Sequence, residues 1–367
     1  MSIALENQRT YALVGTGGCG KTSLAEMLLF QAGIINRLGA IEEGTTALDY
    51  EPEEIKRRGS IQPGFATFDW KGYRHNLIDI PGDSNFSGDM EWLLAAVDSA
   101  VIVVDAVDGV RPQMRRMWKS VKAAGLPAIA VVTKMDRERA DFDAALNSLT
   151  THLGVRPVVF YIPILENGEF IGLVDVFASK AYRFLENGET EEMPIPADLE
   201  DEVLLLRDTS VENIASSDED LMNRYLEEGS LSDEDITLGL RKGVLSGEIV
   251  AVLPASAMQN RGGRRLLNQV NNLLASPLDR PATLGSDGSE RAADPEAPAA
   301  CLVFRSLNDA FSGQVNMLRV ISGTISSDST LKNMRTGEPV KLSPADAVAH
   351  IPAGLPELTP GAPILDK

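Results

Sequence analysis

Short apolar runs alternate with segments of helical periodicity through the first 150 residues. Residues 10–14, 77–80, 101–104 and 128–132 are predicted as buried strands, and residues 21–32, 88–97, 112–124 and 137–153 as helices. Strand and helix in alternation predict an α/β domain with a parallel sheet covered by helices on both faces.

The rhythm changes after residue 154. Glu166-Asn167-Gly168-Glu169 and Glu186-Asn187-Gly188-Glu189 are Asn-Gly turn signals, and residues 170–177 and 181–185 beside them are predicted as strands. A helical segment follows with Leu204, Val211, Ile214, Leu221 and Leu226 as its expected apolar anchors. The αβ rhythm resumes with a strand at 249–253 and a helix at 264–274, so residues 155–247 are expected to be an insertion in a first domain of residues 1–281. Residues 282–300 have the Gly, Pro, Ser and Ala content of a linker. Beyond them, strands at 301–305, 315–321 and 324–325, with turns at Ser312-Gly313, Ser322-Gly323 and Thr336-Gly337, predict a small β-barrel over 301–367. Pro344, Pro352, Pro356, Pro360 and Pro363 discourage strands at its end, so the barrel is expected to be incomplete.

With 367 residues, 44% hydrophobic and 24% charged, the chain has the make-up of a multi-domain globular protein rather than a disordered one. The formal charge of −19 is uneven: residues 186–236 hold eighteen acids against two bases, and the rest of the chain carries only −3. A protein so acidic cannot hold nucleic acid by its overall field, which argues against a DNA-binding role and makes any RNA contact local. Cys19 and Cys301 match no metal spacing and suit a reducing compartment. Asp98 and Asp105 interrupt the best apolar run and the start has no cationic leader into a long apolar stretch, so a cytoplasmic protein without membrane association is expected.

Gly15-Thr16-Gly17-Gly18-Cys19-Gly20-Lys21-Thr22, followed by Ser23, fits G-x-x-x-x-G-K-[ST] between a predicted strand and a predicted helix. Glycines let successive backbone N–H groups and the helix N-terminus face phosphates. Lys21 brings a point charge to the β- and γ-phosphates, and Thr22 offers a hydroxyl to Mg²⁺. Cys19 reads either as a redox-sensitive thiol or as a small residue in a tight loop. Asp79 ends an apolar run and precedes Ile80-Pro81-Gly82, where the carboxylate can face Mg²⁺ through water and the Gly82 N–H can meet the γ-phosphate. Thr133-Lys134-Met135-Asp136 follows another strand end. The Asp136 carboxylate can accept both N1–H and the amino group of guanine, a donor pair adenine lacks, so the nucleotide is GTP or GDP rather than ATP. Ser256-Ala257, after the strand at 249–253, forms the second wall of the base pocket.

These motifs, in this order, resemble the N-terminal part of bacterial elongation factor G, a translational GTPase, from about Thr10 to about Thr336. The resemblance extends to residues 39–44, Leu48-Asp49-Tyr50 and residues 54–61 (the family's first switch), to residues 105–113, to Ala275-Ser276-Pro277-Leu278-Asp279, and to residues 319–324 in its barrel domain. The gap from Asp136 to Ser256 is similar to the family's inserted G′ subdomain; release-factor GTPases and ribosomal-protection proteins are the nearby alternatives. It implies a P-loop GTPase fold, GTP/GDP and Mg²⁺ as ligands, Ser60 as a further metal-binding hydroxyl, and action on the ribosome in translocation or recycling as a monomer. That work needs three further domains, so the chain reads as part of a longer protein.

Two departures from the family stand out. Asp83 occupies the place of the family's histidine after Pro-Gly, which orders the attacking water, and a carboxylate beside the γ-phosphate is repelled unless protonated or screened. Lys21, Gly82 and Asp83 are thus the candidate catalytic residues, with weak ribosome-stimulated hydrolysis expected; the alternative is a GTP-controlled binding switch. Gly17 and Gly59 stand where relatives carry a pair of apolar gate residues, and Gly18 where an Asp is common. The acidic insertion reads either as a docking face for a basic protein, as the resemblance to a stalk-binding G′ subdomain implies, or as a solvated surface. Arg57, Arg58, Arg111, Arg115, Arg116, Arg261, Arg264 and Arg265 are candidate local contacts to rRNA.

Overall fold

The computed structural model describes residues 3–285, 288–309, 313–326, 329–341 and 363–366. In chain order the first elements are β1 (Gln8–Val14), α1 (Lys21–Gln31), α2 (Pro52–Arg57), β2 (Gly64–Trp70), β3 (Tyr73–Asp79), α3 (Met90–Ala95), β4 (Ser99–Asp105), α4 (Pro112–Ala123), β5 (Ala128–Thr133), α5 (Phe142–Leu153) and β6 (Pro157–Val159). An antiparallel set follows: β7 (Tyr161–Glu166), β8 (Glu169–Asp175), β9 (Lys180–Phe184) and β10 (Thr190–Met193). Then come α6 (Glu200–Ala215), α7 (Glu219–Glu228), α8 (Asp233–Ser246), β11 (Val250–Pro254) and α9 (Gly263–Leu273).

The large sheet has the order β2-β3-β1-β4-β5-β11-β6. Residues of β1, β4, β5 and β11 are buried throughout, as continuous apolar runs in a sheet covered on both faces demand. Six strands run parallel, but β2 pairs antiparallel with β3, so the expected purely parallel sheet is in fact mixed. The hairpin turns on Lys71 and Gly72, both at positive φ, a geometry that matches the twist of paired strands. Register places Asp79 beside Leu13, Ile102 beside Val14, Thr133 beside Asp105, and Pro254 beside Val132, so the loops after β1, β3, β5 and β11 leave one sheet edge together.

The expected 155–247 interval begins within this sheet, because Pro157–Val159 pairs with β11 as its edge strand. Residues 161–193 form a separate four-stranded sheet, β10-β9-β8-β7, and α6 to α8 carry the acidic segment. Val211, Ile214 and Leu221 are buried as expected, whereas Leu204 is 60% and Leu226 73% exposed. Each lies one position beyond the true inward residue: Val203 is buried on α6, and Tyr225 packs on the core from α7. A one-residue step turns a side chain about 100° around a helix, enough to take it off the apolar stripe. The expected helix from 137 starts at Phe142, where the Asp141 carboxylate accepts the Ala144 N–H.

The expected linker contains a two-strand ladder, β12 (Thr283–Leu284) with β13 (Glu290–Arg291). Beyond it β14 (Ala300–Asp309), β15 (Gly313–Ser322) and β18 (Pro363–Asp366) form one sheet, and β16 (Thr330–Lys332) pairs with β17 (Pro339–Lys341). The expected strand at 324–325 reduces to a single bridged residue, Ile325. Ser312 and the prolines from Pro344 to Pro360 lie outside the described residues, but Pro363, expected to discourage a strand, instead starts β18 opposite Arg319, a position at the end of an edge strand where its missing N–H costs no ladder bond. This sheet is tied to the first domain by Arg319, whose Nη2 meets both carboxylate oxygens of Asp98 at 2.8 and 2.9 Å and whose Nη1 donates to the Ala96 carbonyl at 3.0 Å. Both partners are buried, so removing either one strands the other's charge, a change that typically costs about 3–5 kcal/mol.

His75 makes stability pH-dependent. Its Nε2 faces Asn271 Oδ1 at 2.8 Å, its Nδ1 faces the Tyr11 hydroxyl at 3.3 Å, and its ring stacks on Phe68. Burial pushes its pKa from 6.5 to about 4. The unfolded chain therefore takes up a proton that the folded chain refuses, and His75 removes about 1.4 kcal/mol per pH unit as pH falls from about 6.5 toward 4. Urea unfolding of His75→Gln is expected to show a flatter acid limb than the parent over that window. Equal slopes would contradict this assignment.

Candidate nucleotide-binding site

The four loops at the sheet edge surround a cleft of about 380 Å³ lined by Gly17, Gly18, Lys21, Gly82, Asp83 and Asp136 among others. At one end, Gly20 adopts φ +97, a conformation glycine takes without penalty, and α1 begins at the next residue, Lys21. Gly15 packs so closely that a Cβ would stand 2.6 Å from both Cys19 Sγ and the Val103 carbonyl. Cys19 is buried and burial raises its thiol pKa, which favours packing over thiol chemistry. Thr16 supplies the carbonyl that accepts a 3.2 Å hydrogen bond from Lys21 Nζ. Ser23 follows in the first turn of α1 and is half-buried.

Three oxygen-bearing side chains from separate segments converge beside Lys21. Thr22 Oγ1 donates to Asp79 Oδ2 at 2.6 Å and lies 3.1 Å from Ser60 Oγ. Asp79 is buried, and burial raises its pKa to about 6 against the opposing pull of Lys21 and Thr22. Among the described residues its Oδ1 has no hydrogen-bond partner, and neither has the buried Asp49 Oδ2 nearby. Unpaired buried carboxylate oxygens are costly and invite a cation. The donors are hard oxygens, the kind Mg²⁺ takes, so the set fits that ion; among the described residues there is no cluster of three His, Cys, Asp or Glu.

The segment that resembles the family's first switch is held by two buried glutamates whose role the sequence reading missed. Glu26, on α1, accepts the N–H groups of Gly39 at 3.0 Å and Ala47 at 2.9 Å. Glu54 accepts those of Ile61 at 2.9 Å and Gln62 at 2.8 Å, just past Ser60. The one available signal was Glu51-x-x-Glu54, a capping box at the start of α2.

Ile80 and Pro81 are buried and deliver Gly82 to the phosphate loop, where Gly17 N–H meets the Gly82 carbonyl at 2.9 Å. Asp83 is not a bare carboxylate. Its Oδ1 accepts from Asn85 N at 2.9 Å and Nδ2 at 3.0 Å, and Arg57 stands 3.8 Å from its Oδ2. Among the described residues, a Cβ at Gly59 would meet nothing within 4 Å, so this expected gate position is open there.

At the other end, Thr133 Oγ1 donates to the Cys19 carbonyl at 2.6 Å and so joins the base loop to the phosphate loop. Lys134, at positive φ, pairs with Asp105 at 2.7 Å. Met135 is fully buried and its N–H meets the Ala255 carbonyl. This contact carries Asp136 to Ser256, whose Oγ donates to Asp136 Oδ1 at 2.6 Å, with Ala257 lining the cleft beside them. The candidates for phosphate, metal and base thus gather around one sheet edge.

Of the eight candidate rRNA arginines, most are engaged internally. Arg111 pairs with Asp108, Arg115 meets His152, Arg261 pairs with Glu169, Arg264 with Glu189, and Arg265 lies over Tyr182. The side chains of Arg58 and Arg116 make no hydrogen bond or ion pair among the described residues. No helix among the described residues is long and apolar enough to cross a membrane.

A glycine loop at a helix N-terminus, with an acidic strand end beside it and a carboxylate at the far wall, defines the P-loop class of guanine-nucleotide-binding domains. The family model described as the elongation factor Tu GTP binding domain matches residues 6–276, and the chain belongs to that family. Within it the likeness is to elongation factor G: the chain is 34% identical over 349 residues, 93% of its length, to elongation factor G of Mycoplasma pneumoniae and covers 51% of that protein. A crystal structure of a Thermus thermophilus protein superposes with a TM-score of 0.87 at 33% identity, over 99% of this chain and 52% of the other. The chain spans about half the length of both.

Proposed function

We propose that the chain binds GTP and GDP with Mg²⁺ in the cleft described and, as part of a full-length factor, hydrolyses GTP on the ribosome during translocation or recycling. The observation that carries this reading is the meeting of Lys21, Thr22, Asp79 and Ser60 at one end of a cleft whose other end is Asp136 held by Ser256. Residues 15–23 cradle the phosphates through their N–H groups and Lys21, while Thr22, Ser60 and Asp79, with Asp49 behind them, hold the metal. When bound, Mg²⁺ neutralises phosphate charge. Residues 133–136 with Ser256 and Ala257 receive the guanine. Residues 1–281 make up the G domain in this reading, with the acidic helices inserted in it, residues 282–300 the linker, and residues 301–367 a β-domain.

A second reading has its own support. With Arg57 and Asn85 partnering Asp83, the carboxylate is screened enough to sit near a γ-phosphate yet offers no donor to the attacking water, which favours a GTP-controlled switch that hydrolyses slowly. Multiple-turnover phosphate release by the full-length protein, with and without ribosomes, separates the two: strong stimulation supports the enzyme, and GTP-dependent ribosome binding without stimulation supports the switch. Failure of both removes the ribosomal proposal. Ribosomal contacts in this account are the acidic α6–α8 face toward a basic stalk protein and exposed arginines such as Arg58 and Arg116 toward rRNA.

A further inference from the structure

The end of the β4–α4 loop and the first turn of α4 touch both the phosphate loop and the loop after β3 that holds Gly82. Gln113, the second residue of α4, donates from Nε2 to the Gly82 carbonyl at 2.8 Å. That carbonyl also accepts the Gly17 N–H at 2.9 Å. Two residues earlier, Arg111 pairs with Asp108 and reaches the Gly17 carbonyl at 3.4 Å. Both glycines are therefore gripped from the same short segment.

The consequence is a backbone drawn tightly over the phosphate loop. A Cβ on Gly82 would stand 2.4 Å from Lys21 Nζ and 2.6 Å from both the Gly15 carbonyl and the Gly17 nitrogen. Lys21 and the N–H groups of the loop are the donors an outermost phosphate seeks, and here Gly82 takes up the Gly17 N–H and the space beside Lys21. A γ-phosphate seated beside Lys21, in the space where a Cβ on Gly82 would stand 2.4 Å from Nζ, would push Gly82 outward and loosen its bond from Gln113, whether or not it then accepts the Gly82 N–H. A diphosphate ends one phosphoryl group earlier and leaves that bond intact.

We propose that Gln113 is a positioning residue that sets nucleotide preference, holding Gly82 on the phosphate loop and so favouring guanosine diphosphate over triphosphate. The inference rests on the guanine-nucleotide reading above. Loss of one hydrogen bond of this kind changes an equilibrium by about 3- to 10-fold. Titration calorimetry on the chain, Gln113→Ala and the similarly shaped, donor-free Gln113→Met, with GDP and with a non-hydrolysable GTP analogue in Mg²⁺ buffer, provides the test. Both variants are expected to bind the analogue about 3- to 10-fold more tightly relative to GDP, with GDP affinity within about twofold of the parent. An unchanged ratio in both variants, or equal weakening of both nucleotides as loss of a merely structural staple would give, overturns the proposal. A parent chain that binds neither nucleotide overturns the nucleotide reading itself and this inference with it.

Discussion

Asp136→Asn is expected to weaken GDP binding by about 100-fold or more and to turn the preference toward xanthosine diphosphate. The Asp136 carboxylate is oriented by the 2.6 Å bond that Ser256 Oγ donates to Oδ1, leaving its remaining lone pairs for two N–H donors on a purine edge. Each hydrogen bond to a charged group contributes about 1.5–3 kcal/mol, and an Asn amide puts a donor where guanine presents one of its own. Xanthine carries a carbonyl in place of guanine's amino group, so the same amide becomes complementary to it. Competition of guanosine, xanthosine and adenosine diphosphates against a fluorescent guanine nucleotide measures the shift. A variant that keeps the parent's order of preference would mean that Asp136 does not read the base.

The second large effect is expected at Asp83. In the full-length protein, Asp83→His is expected to raise ribosome-stimulated GTP turnover by about 100-fold, the lower end of what a positioned acid–base group contributes. A carboxylate held by Asn85 and faced by Arg57 at 3.8 Å has its acceptor sites directed at protein, whereas an imidazole can both accept from a water and donate to phosphate oxygen. The ion pair is partly exposed and by itself contributes little stability, so its interest lies in charge compensation between α2 and the loop after β3. Turnover of the histidine variant equal to that of the parent would show that Asp83 does not limit hydrolysis.

How much of this was legible depended on where the information lies in the chain. The motifs of the cleft are contiguous, each sits at a strand end, and strand order then carries them to one edge, so Gly15 to Ser23, Asp79 to Gly82, and Thr133 to Asp136 could be read directly. The β2–β3 hairpin was not legible because its turn is Lys71-Gly72 rather than Asn-Gly, and the Gly64–Trp70 strand mixes polar with aromatic residues. Glu26 and Glu54 grip backbone N–H groups, and nothing in the identity of Gly39, Ala47, Ile61 or Gln62 marks them as partners. Leu204 and Leu226 show the limit of an apolar count along a helix, where a one-residue error moves a side chain from core to solvent. The Arg57–Asp83 and Gln113–Gly82 contacts join residues 26 and 31 positions apart, and they appear only when the fold brings their loops together.

The cleft's affinity for guanine nucleotides is tested most directly by calorimetry on the whole chain in Mg²⁺ buffer, titrating GDP, GTP and ADP in turn. Saturable one-to-one binding of GDP and GTP, with ADP at least about 100-fold weaker as expected when Asp136 finds no donor pair, is the predicted result. Absence of heat with both guanine nucleotides, or ADP binding as tightly as GDP, would contradict it.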